Sequence, residues 1–185
     1  MMNTPSNFRF MHTAPQDFCA IFEQDMNLLY SLALLLTADH KLAEQCFVAA
    51  LDDCLNGAEV FPDRARSWSR RAIVKQAIRA VNPRPDGRRG ALEISYEGAG
   101  EETDEVRGRL MQLPPFERFV FAMAVLERYS IHESAALLNS GARDVERARI
   151  RALQFISGTD RDVQRAPFAG STSRESALTA NIGAA

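Results

Sequence analysis

Apolar residues return every three or four positions along two long stretches of this chain, and nowhere do they alternate as a half-buried strand requires. From Gln16, the residues Phe18, Ile21, Phe22, Met26, Leu29, Leu32, Ala33 and Leu36 form one stripe, which predicts a single amphipathic helix interrupted at Thr37 to His40. Asp39 is placed to N-cap a second helix that carries Leu42, Cys46, Phe47, Ala50, Leu51 and Cys54 and stops at Asn56-Gly57. Pro62 suits the first turn of a third helix, with Trp68, Ala72, Val74, Ala77, Ile78 and Val81, which Asn82-Pro83 ends. Three helices with short connections can enclose a small core.

Residues 83–109 have a different character. Pro83, Pro85, Gly87, Gly90, Gly98 and Gly100 punctuate a segment with few apolar residues, which reads as a linker. Helical spacing resumes near Val106. Leu113-Pro114-Pro115 then opens a helix with Phe119, Val120, Met123, Ala124 and Leu126, and two more helices follow. The expected fold is all-α: two small helical domains (residues 16–82 and 110–156) joined by a flexible linker (83–109). A loose N-terminal arm (1–15) precedes them and a tail (157–185) rich in Ser, Thr, Gly and Ala follows, composed like a disordered segment.

Several function classes drop out. No run approaches the roughly 18 apolar residues that cross a bilayer, and Met1 to Pro15 lacks the basic-then-apolar pattern of a secretory signal. The expectation is a cytoplasmic protein without a membrane partner. Cys19, Cys46 and Cys54 form no CxxC pair, and Cys46 and Cys54 read as small buried apolar residues. His12, His40 and His132 have no metal-ligand spacing, so no metal or other cofactor is expected. No phosphate loop, paired-carboxylate signature or His-partnered nucleophile occurs, so the chain does not read as an enzyme.

The net charge of -2 conceals strong segregation. Residues 1–60 hold two basic and eight acidic residues, whereas residues 61–90 hold nine basic and two acidic ones. A local basic surface matters more for nucleic acid than the sum. On the third helix Arg64, Arg71, Lys75 and Arg79 share a broad face, with Arg66 and Arg70 beside it. Few acids stand near them in the sequence, which points to phosphate contacts. Trp68 either stacks on a base or belongs to the core.

The last two helices have the makings of a helix-turn-helix. Ser130 and Glu133 match a capping box, Ala135, Leu137 and Leu138 supply a buried face, and Asn139-Ser140-Gly141 supplies a turn. In the final helix Val145, Ala148, Ala152 and Ile156 align inward, and Arg143, Arg147, Arg151 and Gln154 align outward, suited to phosphate and base-edge contacts. Arg149 projects close to the inner side and must snorkel or pair with an acid. Periodicity alone fits an ordinary helical hairpin with a solvated basic face equally well.

The stretch LMQLPPFERFVFAMAVLERYSIHESAALLNSGARDVERARIRAL, Leu110 to Leu153, resembles the C-terminal domain of extracytoplasmic-function sigma factors of bacterial RNA polymerase. The likeness rests on Leu113, Pro114, Pro115, Glu117, Arg118, Tyr129, Ser130, Glu133, Ala135, Leu137, Leu138, Val145, Arg151, Ala152 and Leu153, in order and without a gap. LYSLALLLTADHKLAE, Leu29 to Glu44, is similar to the opening of the same family's core domain, and Trp68 falls where that family places a tryptophan before its promoter-melting helix.

The resemblance implies a promoter-DNA partner, with the C-terminal domain on the minus-thirty-five element and the N-terminal domain on the upstream edge of the melted minus-ten element. It also implies a core RNA polymerase partner and admits an anti-sigma factor. The implied DNA-binding residues are Arg64, Arg71, Lys75, Arg79, Arg143, Glu146, Arg147 and Arg151. Gln45, Val48 and Ala49 fall where the family docks on the polymerase clamp, but two of the three are apolar here. Ala148 and Arg149 stand where the family commonly has arginine then leucine, and Glu146 where a basic or small polar residue is frequent. Glutamate repels phosphate but can accept from a cytosine amine. Two other functions fit the same residues: a DNA-binding regulator that does not hold polymerase, and an interaction module for a sensor or anti-sigma partner.

Overall fold

The structure is a computed structural model that describes residues 13–57, 60–85 and 108–157. Its elements are α1 (Pro15–Gln24), α2 (Met26–Thr37), α3 (His40–Gly57), a 3-10 turn (Pro62–Arg64) leading into α4 (Ala65–Val81), and α5 (residues 108–112). They continue with α6 (Pro115–Phe121), which runs into a π-type turn (Ala122–Leu126), then α7 (Ile131–Leu137) and α8 (Ala142–Ser157). The chain is all-α, and no strand occurs among the described residues.

The first apolar stripe is two helices rather than one. The chain leaves helical geometry at Asp25 (φ -101°, ψ 17°), and α1 and α2 meet at 77°. The bend lets Phe18 and Phe22 approach the core from one direction and Leu29, Leu32, Ala33 and Leu36 from another. Met26 has the spacing of the stripe but sits at the corner and is 54% exposed. Arg66 of α4 holds the corner by pairing with Asp25 and donating to Gln24 Oε1 at 2.9 Å. Neither helix, nor any other among the described residues, is long and apolar enough to cross a membrane by itself.

Local punctuation follows the sequence reading closely. Asp39 caps α3 by accepting from the Leu42 amide at 2.7 Å, and α4 closes on Asn82 with a left-handed φ of 48°. Cys46 and Cys54 are buried, and burial pushes the Cys54 thiol up to about 11. Thr13 lies in the expected arm but is buried, with its amide (2.7 Å) and hydroxyl (2.6 Å) both donating to the Val60 carbonyl. The rest of the arm (residues 1–12), most of the linker (86–107) and the tail beyond residue 157 lie outside the described residues.

Helix α2 is the centre of the molecule. It packs on α1, α3 and α4, and also on α6 and the π-type turn. One buried cluster therefore runs from Phe18 to Ala148, while Leu113, Phe121 and Ala152 form a smaller one beneath α8. Helix α6 (PFERFVF) is buried on every side from Phe116 to Phe121, its two charged residues included.

The guanidinium of Arg118 bridges the two halves of this core. Its Nη1 donates to the carbonyls of Met111 and Leu113, both at 3.1 Å, and its Nη2 to that of Leu36 at 3.3 Å. Leu36 lies in the last turn of α2, where carbonyls have no partner within the helix and the helix dipole is negative. Burial pulls the Arg118 pKa down to about 10, which leaves the group charged at neutral pH. Arg118→Met keeps the bulk but strips three buried carbonyls of their donor, so it is expected to cost about 3 kcal/mol in urea unfolding. Equal stability of the variant would show that the bridge contributes nothing.

Candidate nucleic-acid interface

Helices α7 and α8 form a tight hairpin. The Ser130 hydroxyl accepts from the Glu133 amide at 3.2 Å, and Glu133 Oε2 accepts in return from the Ser130 amide at 2.9 Å and hydroxyl at 2.7 Å. Asn139 turns the chain with a left-handed φ of 46°, and the Gly141 carbonyl accepts from the Asp144 and Val145 amides in the first turn of α8. Val145, Ala148 and Ala152 are wholly buried, as their spacing requires. Arg143, Arg147, Arg151 and Gln154 are exposed on the other side.

The four cations of α8 are not equivalent. Arg143 has no ion pair among the described residues, and Arg147 stays 69% exposed beside Asp144 at 3.7 Å. Arg151 is held by Glu117 of α6, whose Oε1 accepts from Nε at 3.0 Å and Nη2 at 2.7 Å. Two charge-assisted hydrogen bonds to the one oxygen tie α8 to α6 and draw Arg151 away from the outward row. Arg149 does not point inward as expected: its side chain is 42% exposed and lies 4.0 Å from Glu146, a loose ion pair without a hydrogen bond.

The basic residues of α4 are divided too. Arg79 lies 3.5 Å from Asp53 of α3, where Gln76 also donates at 2.7 Å, and is therefore separated from the rest of the row. Arg70 reaches Glu127 at 3.8 Å. Burial raises the pKa of Glu127, and Arg70 opposes the rise. The compensating acids missing from the neighbouring sequence thus arrive from the corner between α1 and α2 (Asp25), from α3 (Asp53) and from just after the π-type turn (Glu127).

The remaining three cations, Arg64, Arg71 and Lys75, line one groove of about 540 Å³ between α4 and the residues after the π-type turn. Arg71 stands 5.7 Å over the Tyr129 ring and Lys75 stands 5.3 Å over the Trp68 ring, both within cation–π range. Trp68 packs partly on the core, as one of its two expected roles requires, and also lines the groove. Sequence reasoning missed Phe61, Glu127 and Tyr129 as groove residues. Tyr129 is some sixty positions from Trp68, and no local pattern announces the π-type turn that brings it there.

The positions aligned with polymerase docking lie on the outer side of α3. Gln45 and Val48 are exposed and Ala49 is half-buried. Val48, 58% exposed, forms a second, apolar groove of about 270 Å³ with Met26, Tyr30 and Phe47.

Comparison with protein-family models, with curated proteins and with solved structures returns no match for this chain.

The capping box makes a pH-dependent contribution. The Ser130 amide, and secondarily its hydroxyl, hold the Glu133 carboxyl below its ordinary value of 4.5. A carboxylate depressed by folding adds stability above its unfolded value and loses it as pH falls through the folded one. Ser130→Ala is expected to cost about 1 kcal/mol at neutral pH. The stability gap between wild type and Glu133→Gln should close as pH falls from 4.5 through the lower value of the folded state. Urea unfolding at pH 7 and pH 3 reads both effects, and a gap unchanged by pH would argue against the reciprocal cap.

Proposed function

We propose that this chain is a sigma-factor-like transcription initiation protein that binds promoter DNA and recruits core RNA polymerase, without an active site of its own. The observation that carries the reading is the outer face of α8. Arg143 and Arg147 are exposed there on the second helix of a short, capped hairpin, which supports a helix-turn-helix that would lay this helix in the major groove. The resemblance of Leu110 to Leu153 to the promoter-binding domain of extracytoplasmic-function sigma factors supports the same assignment. In this reading Arg64, Arg71 and Lys75 serve the second DNA contact, the protein is cytoplasmic, and residues 16–82 and 110–156 act as two units. The shared core then represents their closed arrangement.

A second reading is favoured by Val48. An exposed valine at the rim of an apolar groove, where the family has polar docking residues, suits a protein partner that presents apolar side chains. Such a partner belongs to a regulator or to an interaction module for a sensor or anti-sigma protein as readily as to polymerase.

Run-off transcription with core polymerase on a selected promoter library tests recruitment and recognition together. The expected result is promoter-specific product. Charge reversal at Arg143 and Arg147 is expected to weaken duplex binding by about tenfold or more and flatten its salt dependence. Duplex binding without any polymerase complex would shift the assignment to the regulator. Duplex binding that survives the reversals would remove α8 as the DNA surface.

A further inference from the structure

The groove between α4 and the π-type turn has a composition that duplex recognition does not require. Its three cations, Arg64, Arg71 and Lys75, face a single lining carboxylate, Glu127, which is already paired with Arg70 at 3.8 Å. No carboxylate among the described residues pairs with Arg64 or Lys75. The groove therefore carries an uncompensated positive charge in a concave site, where low-dielectric walls strengthen its attraction for an anion. Interleaved with the cations stand the rings of Trp68 and Tyr129, each already in cation–π contact.

An inorganic anion would leave the aromatic walls unused, and a neutral aromatic molecule would leave the cations uncompensated. The complementary ligand carries both parts, a planar ring and a cluster of negative charge. About 540 Å³ lies within the range of small-molecule sites and suits one such molecule rather than a run of nucleotides along a track. We propose that this groove binds a free nucleoside phosphate, with its phosphates on Arg64, Arg71 and Lys75 and its base against Trp68 and Tyr129. One wall belongs to α4 and the other to the turn after α6, so the bound nucleotide ties the two halves of the molecule together and favours the closed arrangement. Nucleotide binding requires neither DNA nor polymerase, but it uses the cations given above to the second DNA contact, so a bound nucleotide and DNA would compete for Arg64, Arg71 and Lys75.

Trp68 is the only tryptophan in the chain and lines the groove, so tryptophan fluorescence responds to a ligand bound there. The full-length protein is titrated separately with ATP, GTP, CTP and UTP, with inorganic tripolyphosphate, and with a short single-stranded oligonucleotide, and thermal unfolding is followed in parallel. At least one nucleoside triphosphate is expected to quench Trp68 saturably and raise the unfolding midpoint as binding to the native state requires. Tripolyphosphate should bind about tenfold or more weakly, because it lacks a base to stack. Arg64→Ala and Lys75→Ala, confirmed as folded by circular dichroism, should each weaken nucleotide binding severalfold. The proposal is overturned by any of three results: no saturable quenching at millimolar nucleotide, equal binding of tripolyphosphate, or quenching by the oligonucleotide alone. Nucleotide affinity unchanged in both variants would overturn it as well.

Discussion

A guanidinium at the centre of an apolar core is stable only where the fold supplies enough acceptors, and the carbonyls that Arg118 requires lie in two parts of the chain. Two of them, Met111 and Leu113, lead into its own helix, and the third belongs to Leu36 at the negative end of α2. That geometry sets the position of α6 against α2. Much of the C-terminal half follows from it. The π-type turn continues directly from α6, the turn delivers Glu127 and Tyr129 to α4, and those residues close the aromatic, cationic groove. The neighbouring Glu117 acts in another direction by holding Arg151 of α8. Adjacent charged residues on one seven-residue helix thus position both of its principal partners.

The same principle sorts the surface charge. A row of arginines on one helix reads as a nucleic-acid face only while its members lack carboxylate partners. Arg66, Arg70 and Arg79 find theirs in Asp25, Glu127 and Asp53, from three different elements. Arg151 finds its own in Glu117. Of the cations assigned to DNA from the sequence, Arg64, Arg71 and Lys75 in the groove and Arg143 on α8 have no carboxylate ion pair among the described residues, and Arg147 stays largely exposed beside Asp144. These two clusters differ in kind, one concave and walled by aromatic rings, the other projecting from a helix.

Most of the helices were legible in the sequence because three- and four-residue spacing and caps are local signals. Asp39, Asn82, Ser130 with Glu133, and the Asn139 turn all fall where their chemistry places them. The bend at Asp25 was not legible, since the apolar spacing runs through it without a break and only Met26 ends up on the wrong side. The π-type turn, the burial of Arg118 and the partners of the α4 arginines were hidden for a common reason: each depends on residues far apart in sequence. The one local hint was α6 itself, where four apolar residues crowd around Glu117 and Arg118 and leave those charges little access to water.

The residues that carry the sigma-factor resemblance are mostly residues that build the scaffold. Leu113, Glu117, Arg118, Ala135, Leu138, Val145 and Ala152 are buried, and Ser130 and Glu133 form a cap. Even Arg151, the motif's outward-facing cation, is tied to Glu117. A motif built from packing and capping residues constrains how the hairpin is held far more than what it touches. Arg143 and Arg147 lie outside that motif and make no contact with the core, so the scaffold leaves them free to meet a partner. The DNA-binding reading therefore rests on those two side chains, whereas the sigma-factor resemblance constrains the scaffold.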